Sequence, residues 1–266
     1  MSNPAPWSDF ASPADESFVA SVLQIAELGG RKTLDYFSKP DLDLDVDLKA
    51  DGSPVTAGDK AAERVIREGI ENLAPNSTIV GEEEGYKEGN TGLTWYVDPI
   101  DGTKGFTRGI PLYATLVAVN DEQGPLAGAI HIPATGESVW AGRGLGAFTH
   151  HGRARVSDVA DASNAWVTTS SVKRWGTDVY SRTDAGVDNI CGWGDGYGFL
   201  LVASGRIDAM VDLHGGSAWD FAPMPVIMHE AGGRFSALDG SCSVEGPSGV
   251  ATNSLIHDQL LKIING

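Results

Sequence analysis

The chain has 266 residues, of which 41% are hydrophobic and 21% are charged, and its 36 acidic residues outnumber 19 basic ones, which makes the net charge −17. This length and apolar content support one large domain or two that share a core, and they exclude a disordered chain. The negative charge disfavours binding to a phosphate backbone or to an anionic lipid surface. We therefore expect neither nucleic acid nor a membrane as a partner.

Cysteine usage and hydropathy narrow the possible class of protein further. Cys191 and Cys242 form neither a Cys-x-x-Cys pair nor a cluster with histidine, so the sequence indicates neither a disulfide framework nor a zinc site. No apolar run approaches the roughly 18–20 residues of a membrane span, and residues 1–10 lack the basic and then apolar pattern of a signal peptide. These features predict a soluble, cytoplasmic protein.

Capping signals predict two helices in the first part of the chain. Residues 12–15 (Ser-Pro-Ala-Asp) are typical of an N-cap, a proline at the first helical position and a capping-box acid, and we expect this helix to end within residues 37–40. Thr56 and Asp59 form a second capping-box pattern, and the apolar residues after it recur at helical spacing until Pro75. Asp59 is therefore expected in the first turn of a helix.

The rest of the chain alternates between strands and helices. Short β-branched and aromatic runs predict strands at 78–80, 94–97, 113–119, 126–132, 165–169 and 207–211. Helices are predicted at 199–204, 221–231 and 255–264. We interpret the glycine-rich residues 142–152 as a turn between an N-terminal half, residues 1–152, and a C-terminal half, residues 153–266. Interleaved elements of this kind predict a layered α/β or α+β architecture.

The most informative motif is the segment 98–103 (Asp-Pro-Ile-Asp-Gly-Thr), which directly follows a predicted strand. Its two carboxylates are three residues apart and can converge at a turn, where Gly102 relaxes the backbone. The carbonyl of Ile100 can then face the same point. Oxygen ligands without histidine or cysteine suit a hard cation such as Mg²⁺. If Thr103 begins a helix, the free amides of Gly102 and Thr103 form an anion site beside the metal.

Two further acidic residues are candidates for the same site. Glu82 follows the predicted strand 78–80, and Asp220 precedes the predicted helix 221–231. Without a cation, four such carboxylates would repel one another by about 4 kcal/mol per pair at a separation of about 4 Å. The group is therefore expected to surround two or more Mg²⁺ ions, which would activate a water and stabilise the leaving alkoxide of a phosphate ester.

Each candidate also has a structural interpretation. Asp59 can serve as a capping-box acid alone, and Asp220 as a helix cap. Glu82 can belong to a solvated acidic loop. Asp195 and Asp212 can be surface charges, and the ring of Trp193 can be part of the core.

Four motifs, in chain order, resemble the inositol monophosphatase superfamily of Mg²⁺-dependent phosphatases. They are residues 49–56 leading into Asp59, residues 81–83, residues 98–103 and residues 219–220. The resemblance implies a layered αβαβα sugar-phosphatase fold, an α+β fold with mixed sheets, and commonly a homodimer. It also implies two or three Mg²⁺ ions per active site, which act on a small phosphate ester.

The resemblance also implies roles for individual residues. One metal would be bound by Glu82, Asp98 and the Ile100 carbonyl, a second by Asp98, Asp101 and Asp220, and a loosely held third by Glu82. Thr103 with Asp59 would orient the attacking water. Gly102 and Thr103 would hold the phosphate.

Within the superfamily, residues 101–112 and 194–206 resemble the histidinol-phosphate phosphatases. This branch hydrolyses L-histidinol phosphate to L-histidinol and phosphate in histidine biosynthesis. Because that substrate carries an ammonium group and an imidazole, it needs acidic partners, for which Asp195 and Asp212 are candidates, and Trp193 could stack on the imidazole. The alternatives are an inositol-1-monophosphatase, a 3′-phosphoadenosine 5′-phosphate phosphatase, and a phospho-ligand-binding protein without turnover.

Overall fold

The computed structural model describes residues 12–37, 47–48 and 54–266. Most of the motif at 49–56 lies outside these residues. The prediction that the first helix ends within residues 37–40 was wrong, because the helix ends at Thr33 and residues 34–37 form a turn. The helices are α1 (Glu16–Thr33), α2 (Ala57–Leu73), α3 (Thr103–Phe106), α4 (Gly176–Gly186), α5 (Asp195–Ala203), α6 (Ala218–Phe221), α7 (Met224–Glu230) and α8 (His257–Asn265). The strands are β1 (Asp47–Leu48), β2 (Pro54–Val55), β3 (Thr78–Gly81), β4 (Gly85–Lys87), β5 (Thr94–Asp101), β6 (Ala114–Asp121), β7 (Gly124–Ile132), β8 (Glu137–Gly142), β9 (Gly146–Thr149), β10 (Gly152–Arg153), β11 (Trp166–Thr168), β12 (Asn189–Cys191), β13 (Ala209–Asp212), β14 (Arg234–Ser236) and β15 (Gly249–Thr252).

Two mixed sheets organise the described residues, and β1 and β2 form a separate two-stranded sheet. The larger has eight strands in the order β10-β9-β8-β7-β6-β5-β3-β4, and the smaller has five in the order β12-β11-β13-β15-β14. In the larger sheet β3 and β5 are parallel, whereas β5, β6, β7 and β8 pair antiparallel in sequence order. In the smaller sheet β11 is parallel to both β12 and β13.

Helices cover both sheets and separate them, which gives five layers. α1 and α2 pack on one face of the larger sheet, and α5 and α7 pack between the two sheets. α4 and α8 pack together, and α8 contributes to the core on the outer face of the smaller sheet. The layered α+β fold with mixed sheets that the resemblance implies is confirmed.

Alternation along β6 shows how the sequence builds these layers. Leu116 faces the core between the sheets, whereas its neighbour Val117 faces the core under α1, and both are wholly buried. Successive side chains of a strand point to opposite faces, so a strand covered on both sides is apolar throughout. Burial of each such side chain contributes about 1.5–3 kcal/mol. The core between the sheets also contains Phe199 and Met210, so the two predicted halves share it, and the division after residue 152 stays a prediction.

The predictions for residues 12–15 and for residues 142–152 were also wrong. The first helix begins after Asp15, whose side chain accepts a hydrogen bond from the Phe18 amide. The residues before Asp15 stay outside the helix because the Ala14 amide donates to the Arg143 carbonyl. Residues 142–152 are not a single turn but carry strand β9 and the start of β10. A glycine stands at 142 because a Cβ there would lie 2.3 Å from a methyl group of Val19 in α1.

The predicted helix at 221–231 is divided into α6 and α7. Asp220 is therefore not the residue before a helix but lies within α6, where its side chain accepts the Ser217 amide at 2.6 Å. None of the helices in the described part of the chain is long and apolar enough to cross a membrane.

Candidate active site

The end of β5 brings Asp98 and Asp101 to the same side of the sheet. Asp98 pairs with Leu116 and Asp101 with Ala114, so β5 uses one more residue than β6 over this interval. In a regular strand, residues three apart point to opposite faces, and the extra residue of a bulge reverses this relation. Two hydrogen bonds stabilise this bulge. The Asp98 carboxylate accepts one from the Ile100 amide at 3.0 Å, and the Thr115 hydroxyl donates one to the Pro99 carbonyl at 2.9 Å.

Three carboxylates converge at this point. One oxygen from each of Asp98, Asp101 and Asp220 lies within 4.8 Å of the others. Asp220 reaches the group from α6, which packs against β5. The Gly196 amide at the start of α5 donates to Asp101. The site therefore draws on both halves of the chain.

Glu82 lies beside Asp98, next to this group of three, and comes from the neighbouring strand. β3 is parallel to β5, with Gly81 opposite Val97, so the residue that follows β3 emerges beside Asp98. The Glu82 amide donates to the Val97 carbonyl at 3.1 Å. Its carboxylate contacts that of Asp98 and contributes to raising the pKa of Asp98.

The electrostatics of the group favour a cation. Burial, and then the charges of Glu82, Asp101 and Asp220, raise the pKa of Asp98 well above its ordinary value. Burial and the charges of Asp195 and Asp220 do the same to Asp101. Burial raises the pKa of Asp220 to about 6, against the lowering effect of the Ser217 amide.

A divalent ion fits these residues. Two unit charges about 5 Å apart repel by about 3 kcal/mol at an effective dielectric constant of about 20. A cation at their centre converts that repulsion into attraction, and a ligand set made of oxygen atoms alone suits Mg²⁺ better than zinc or copper. The residues present therefore fit the metal that the resemblance implies.

Asp59 lies in the first turn of α2, as predicted, and it has a free ligand atom. Its Oδ2 accepts the Thr56 amide at 2.8 Å and the Thr56 hydroxyl at 2.6 Å, which confirms the capping box. Its Oδ1 is buried without a hydrogen-bond partner in the described part of the chain. Burial raises the pKa of Asp59 to about 7, and the charges of Glu83 and Glu82 add to this effect.

The segment after Asp101 turns sharply into α3. Gly102 has a φ of 89°, a left-handed conformation that favours glycine, and Thr103 is the first residue of the short helix α3. The Thr103 hydroxyl donates a hydrogen bond to the Ile100 carbonyl at 3.0 Å. Among the described residues it forms none with Asp59, whose Oδ2 is bound by Thr56 and whose Oδ1 has no partner. The Ile100 carbonyl retains a second lone pair that a metal can use.

Asp195 and Asp212 lie next to this segment and are linked by Ser170. The Ser170 hydroxyl donates to Asp212 at 2.7 Å and accepts the Asp195 amide at 2.8 Å. A Cβ on Gly102 would lie 2.9 Å from a carboxylate oxygen of Asp195. Asp195 has a φ of 54°, unusual for an aspartate. These contacts bring the predicted substrate residue Asp195 beside the predicted phosphate-binding residue Gly102.

Burial raises the pKa of both Asp195 and Asp212, but cationic side chains oppose the rise. Arg174 lowers both pKa values, and Lys104 lowers that of Asp195. Trp193 is 43% exposed, and its carbonyl accepts a hydrogen bond from the Thr168 hydroxyl at 2.8 Å. The alternative in which the Trp193 ring belongs to the core was therefore wrong.

Sequence analysis missed two residues of this region. Ser170 follows the short strand β11, and Arg174 lies six residues after Thr168 in a segment of mixed polarity. Neither stands in a motif of titratable residues. The one available signal was that a strand end next to Asp212 in a parallel sheet should present polar groups at the same edge.

Residues 15–265 match a family described as the inositol monophosphatase family. The chain belongs to this family. A histidinol-phosphatase of Chlorobaculum parvum (strain DSM 263 / NCIMB 8327) is 39% identical over 258 residues, which are 92% of this chain and 95% of that protein. A histidinol-phosphatase of Mycobacterium tuberculosis (strain ATCC 25618 / H37Rv) is 38% identical over 233 residues, which are 84% and 89% of the two chains.

A solved structure has the same fold. The extragenic suppressor protein suhB of Bartonella henselae superposes with a TM-score of 0.83 at 26% identity, over 94% of this chain and 98% of that one. Family membership and the similarity to the two histidinol-phosphatases make this inositol monophosphatase family member a phosphatase.

Proposed function

We propose that this phosphatase hydrolyses L-histidinol phosphate to L-histidinol and phosphate, with Mg²⁺, as a step of histidine biosynthesis. The observation that carries the proposal is the position of two acidic groups: the carboxylates of Asp98, Asp101 and Asp220 converge, and Asp195 lies next to them against Gly102. The first group suits metal ions that bind a phosphate. The second suits a cationic group on the same substrate.

In this mechanism the chain's own oxygen atoms hold the metals. Glu82, Asp98 and the Ile100 carbonyl would bind one ion, Asp98, Asp101 and Asp220 a second, and Glu82 a third. Bound metal supplies positive charge that stabilises the phosphate oxygens and the leaving alkoxide.

Other residues would position the reactants. Gly102 and Thr103 would hold the phosphate, and the Thr103 hydroxyl and the free Oδ1 of Asp59 would orient the attacking water for in-line attack. A water that donates to Asp59 would give this buried oxygen the hydrogen bond that it lacks in the described chain.

Substrate selection would rest on charge. Asp195 and Asp212 would pair with the substrate ammonium, and the exposed ring of Trp193 would stack on its imidazole. An inositol ring offers only neutral hydroxyl groups, which would donate hydrogen bonds to the carboxylates of Asp195 and Asp212 but would gain no charge pairing from them.

A direct comparison of substrates tests the proposal. Initial rates of phosphate release are measured on histidinol phosphate, inositol 1-phosphate and 3′-phosphoadenosine 5′-phosphate at the same Mg²⁺ concentration. We expect the highest kcat/KM for histidinol phosphate and loss of activity in EDTA. Equal values for the three esters would refute the substrate assignment, and release that persists in EDTA would refute the metal-dependent mechanism.

The same proposal includes a homodimer in the cytoplasm that binds neither nucleic acid nor membrane. Analytical ultracentrifugation measures the molar mass of the particle, which for a dimer is about twice the 27.9 kDa of one chain.

A further inference from the structure

A buried carboxylate on α2 has no role in the mechanism above. Glu63 is 0% exposed and lies one helical turn after Asp59. Its Oε2 accepts the Glu83 amide at 2.7 Å, and its Oε1 accepts the Glu84 amide at 3.0 Å. Both amides belong to the turn that directly follows Glu82.

Arg67 fixes Glu63 in this orientation. Its Nε donates to Oε1 of Glu63 at 2.8 Å, and a terminal nitrogen of its guanidinium donates to the Gly85 carbonyl at 2.5 Å. A Cβ on Gly81 would lie 2.1 Å from Oε1 of Glu63 and 2.6 Å from an Arg67 nitrogen. The backbone before Glu82 is therefore packed directly against this ion pair.

Glu82 is consequently held on both sides. Before it, β3 pairs with β5 up to Gly81 opposite Val97, and the Glu82 amide donates to the Val97 carbonyl. After it, two amides are bound by Glu63. This support matters because the Glu82 carboxylate lies against Asp98, and the two like charges repel each other until a cation is bound.

We propose that Glu63 is a positioning residue for metal binding, because its carboxylate holds the turn after Glu82 and keeps the Glu82 side chain beside Asp98 before a metal arrives. The inference rests on the proposed divalent-metal site. Preorganised ligands bind metal more tightly because less conformational freedom is lost on binding.

The substitution Glu63→Gln tests this inference. An amide side chain has one acceptor oxygen, so it can bind one of the two backbone amides and turns an NH₂ group toward the other. Isothermal titration of the metal-free protein with Mg²⁺ is expected to show a Kd raised about 10- to 100-fold. The Mg²⁺ concentration for half-maximal activity should rise in parallel, whereas kcat at saturating Mg²⁺ should return close to the wild-type value.

Glu71→Gln is the matched control. Glu71 lies two turns further along α2, forms an ion pair with Lys87 near the surface, and does not contact the turn after Glu82. The chemical change is the same as in Glu63→Gln, but it affects only an exposed ion pair. The Mg²⁺ Kd of Glu71→Gln should therefore stay within about twofold of the wild type. A purely structural role for Glu63 would lower the melting temperature and leave the Mg²⁺ Kd unchanged.

Two further measurements keep the inference falsifiable if Glu63→Gln does not fold. Arg67→Lys removes the fork that orients Glu63, and it should raise the Mg²⁺ Kd by a smaller factor. In the metal-free wild type, amide exchange followed by NMR should show protected Glu83 and Glu84 amides. An unchanged Kd in a folded variant, or unprotected amides, would overturn this inference alone, whereas a wild type that binds no Mg²⁺ would overturn the proposed function as well.

Discussion

Two acidic clusters lie side by side in this phosphatase and differ in what balances their charge. In the cluster of Asp98, Asp101 and Asp220, Asp98 is buried and the other two are partly buried, and burial followed by the charges of neighbouring carboxylates raises the pKa of Asp98. The pair of Asp195 and Asp212 is held by Ser170, and its charge is offset in part by Arg174. The aspartates of the first cluster accept hydrogen bonds from backbone amides, whereas those of the second also have a cationic side chain nearby.

This contrast indicates which kind of ligand each cluster can bind. Like charges held within 4.8 Å of one another in a poorly solvated site raise the free energy of the fold unless protons or a cation neutralise them. The first cluster therefore suits a strongly bound divalent ion. The second cluster already has a cationic neighbour, Arg174, so we propose that it binds a singly charged group of the substrate.

The largest expected effect comes from Asp98→Asn, which removes the central charge of the first cluster. We expect kcat/KM for phosphate release to fall about 10³-fold, since about 4 kcal/mol of metal-dependent stabilisation is lost at 1.36 kcal/mol per tenfold. In EDTA the variant should melt at a higher temperature than the wild type, because one source of repulsion is gone.

Asp184→Asn, an exposed aspartate on α4, is the control and should change neither property. If Asp98→Asn lowers the melting temperature in EDTA, the carboxylate is satisfied without a cation and the contrast between the two clusters fails.

An intermediate effect is expected from Asp195→Asn, which removes charge from the second cluster. A hydrogen bond to a charged group contributes about 1.5–3 kcal/mol, so kcat/KM for histidinol phosphate should fall about 10- to 100-fold relative to inositol 1-phosphate. Kinetics on both esters measure the ratio directly. An equal loss on both would mean that Asp195 acts on Asp101, whose pKa it raises, and not on the substrate.

The smallest effect concerns stability and pH at Asp59. Burial raises the pKa of Asp59 from 3.8 to about 7 in the folded chain. The protonated carboxyl therefore stabilises the fold fully below about pH 4, and this stabilisation is lost as the pH rises through 7. In EDTA, the melting temperature of the wild type should fall between pH 5 and pH 8 more steeply than that of Asp59→Asn. A difference of about 1 kcal/mol corresponds to about 2–4 °C in a chain of this size, and parallel curves would contradict the prediction.

Local signals predicted much of this fold and site. The capping box of Thr56 and Asp59 and the apolar strands β3, β5, β6 and β7 depend on neighbours in sequence, and they were predicted correctly. The hairpin of β9 and β10 was missed because the glycines in residues 142–152 resemble turn residues in the sequence, whereas one of them, Gly142, is required by close packing against Val19 of α1.

The polar residues that complete the site were harder to predict. Glu63 interrupts the apolar stripe of α2, and a charged residue there is typical of a solvated face. Its burial depends on backbone amides twenty and twenty-one positions away. Ser170 likewise acquires its importance from Asp195 and Asp212, which lie 25 and 42 positions away.

The sequence by itself determined the chemistry available to this protein: oxygen ligands at the end of a strand, a glycine where the chain turns left-handed, and an acid at a helix start, because each depends on local backbone preferences. The tertiary structure alone decided which of these groups meet. Asp220 and Asp98 are more than a hundred residues apart in the chain, and they meet because α6 packs on β5 and both belong to layers that share one apolar core. Burial of that core supplies the free energy that brings the repelling carboxylates together.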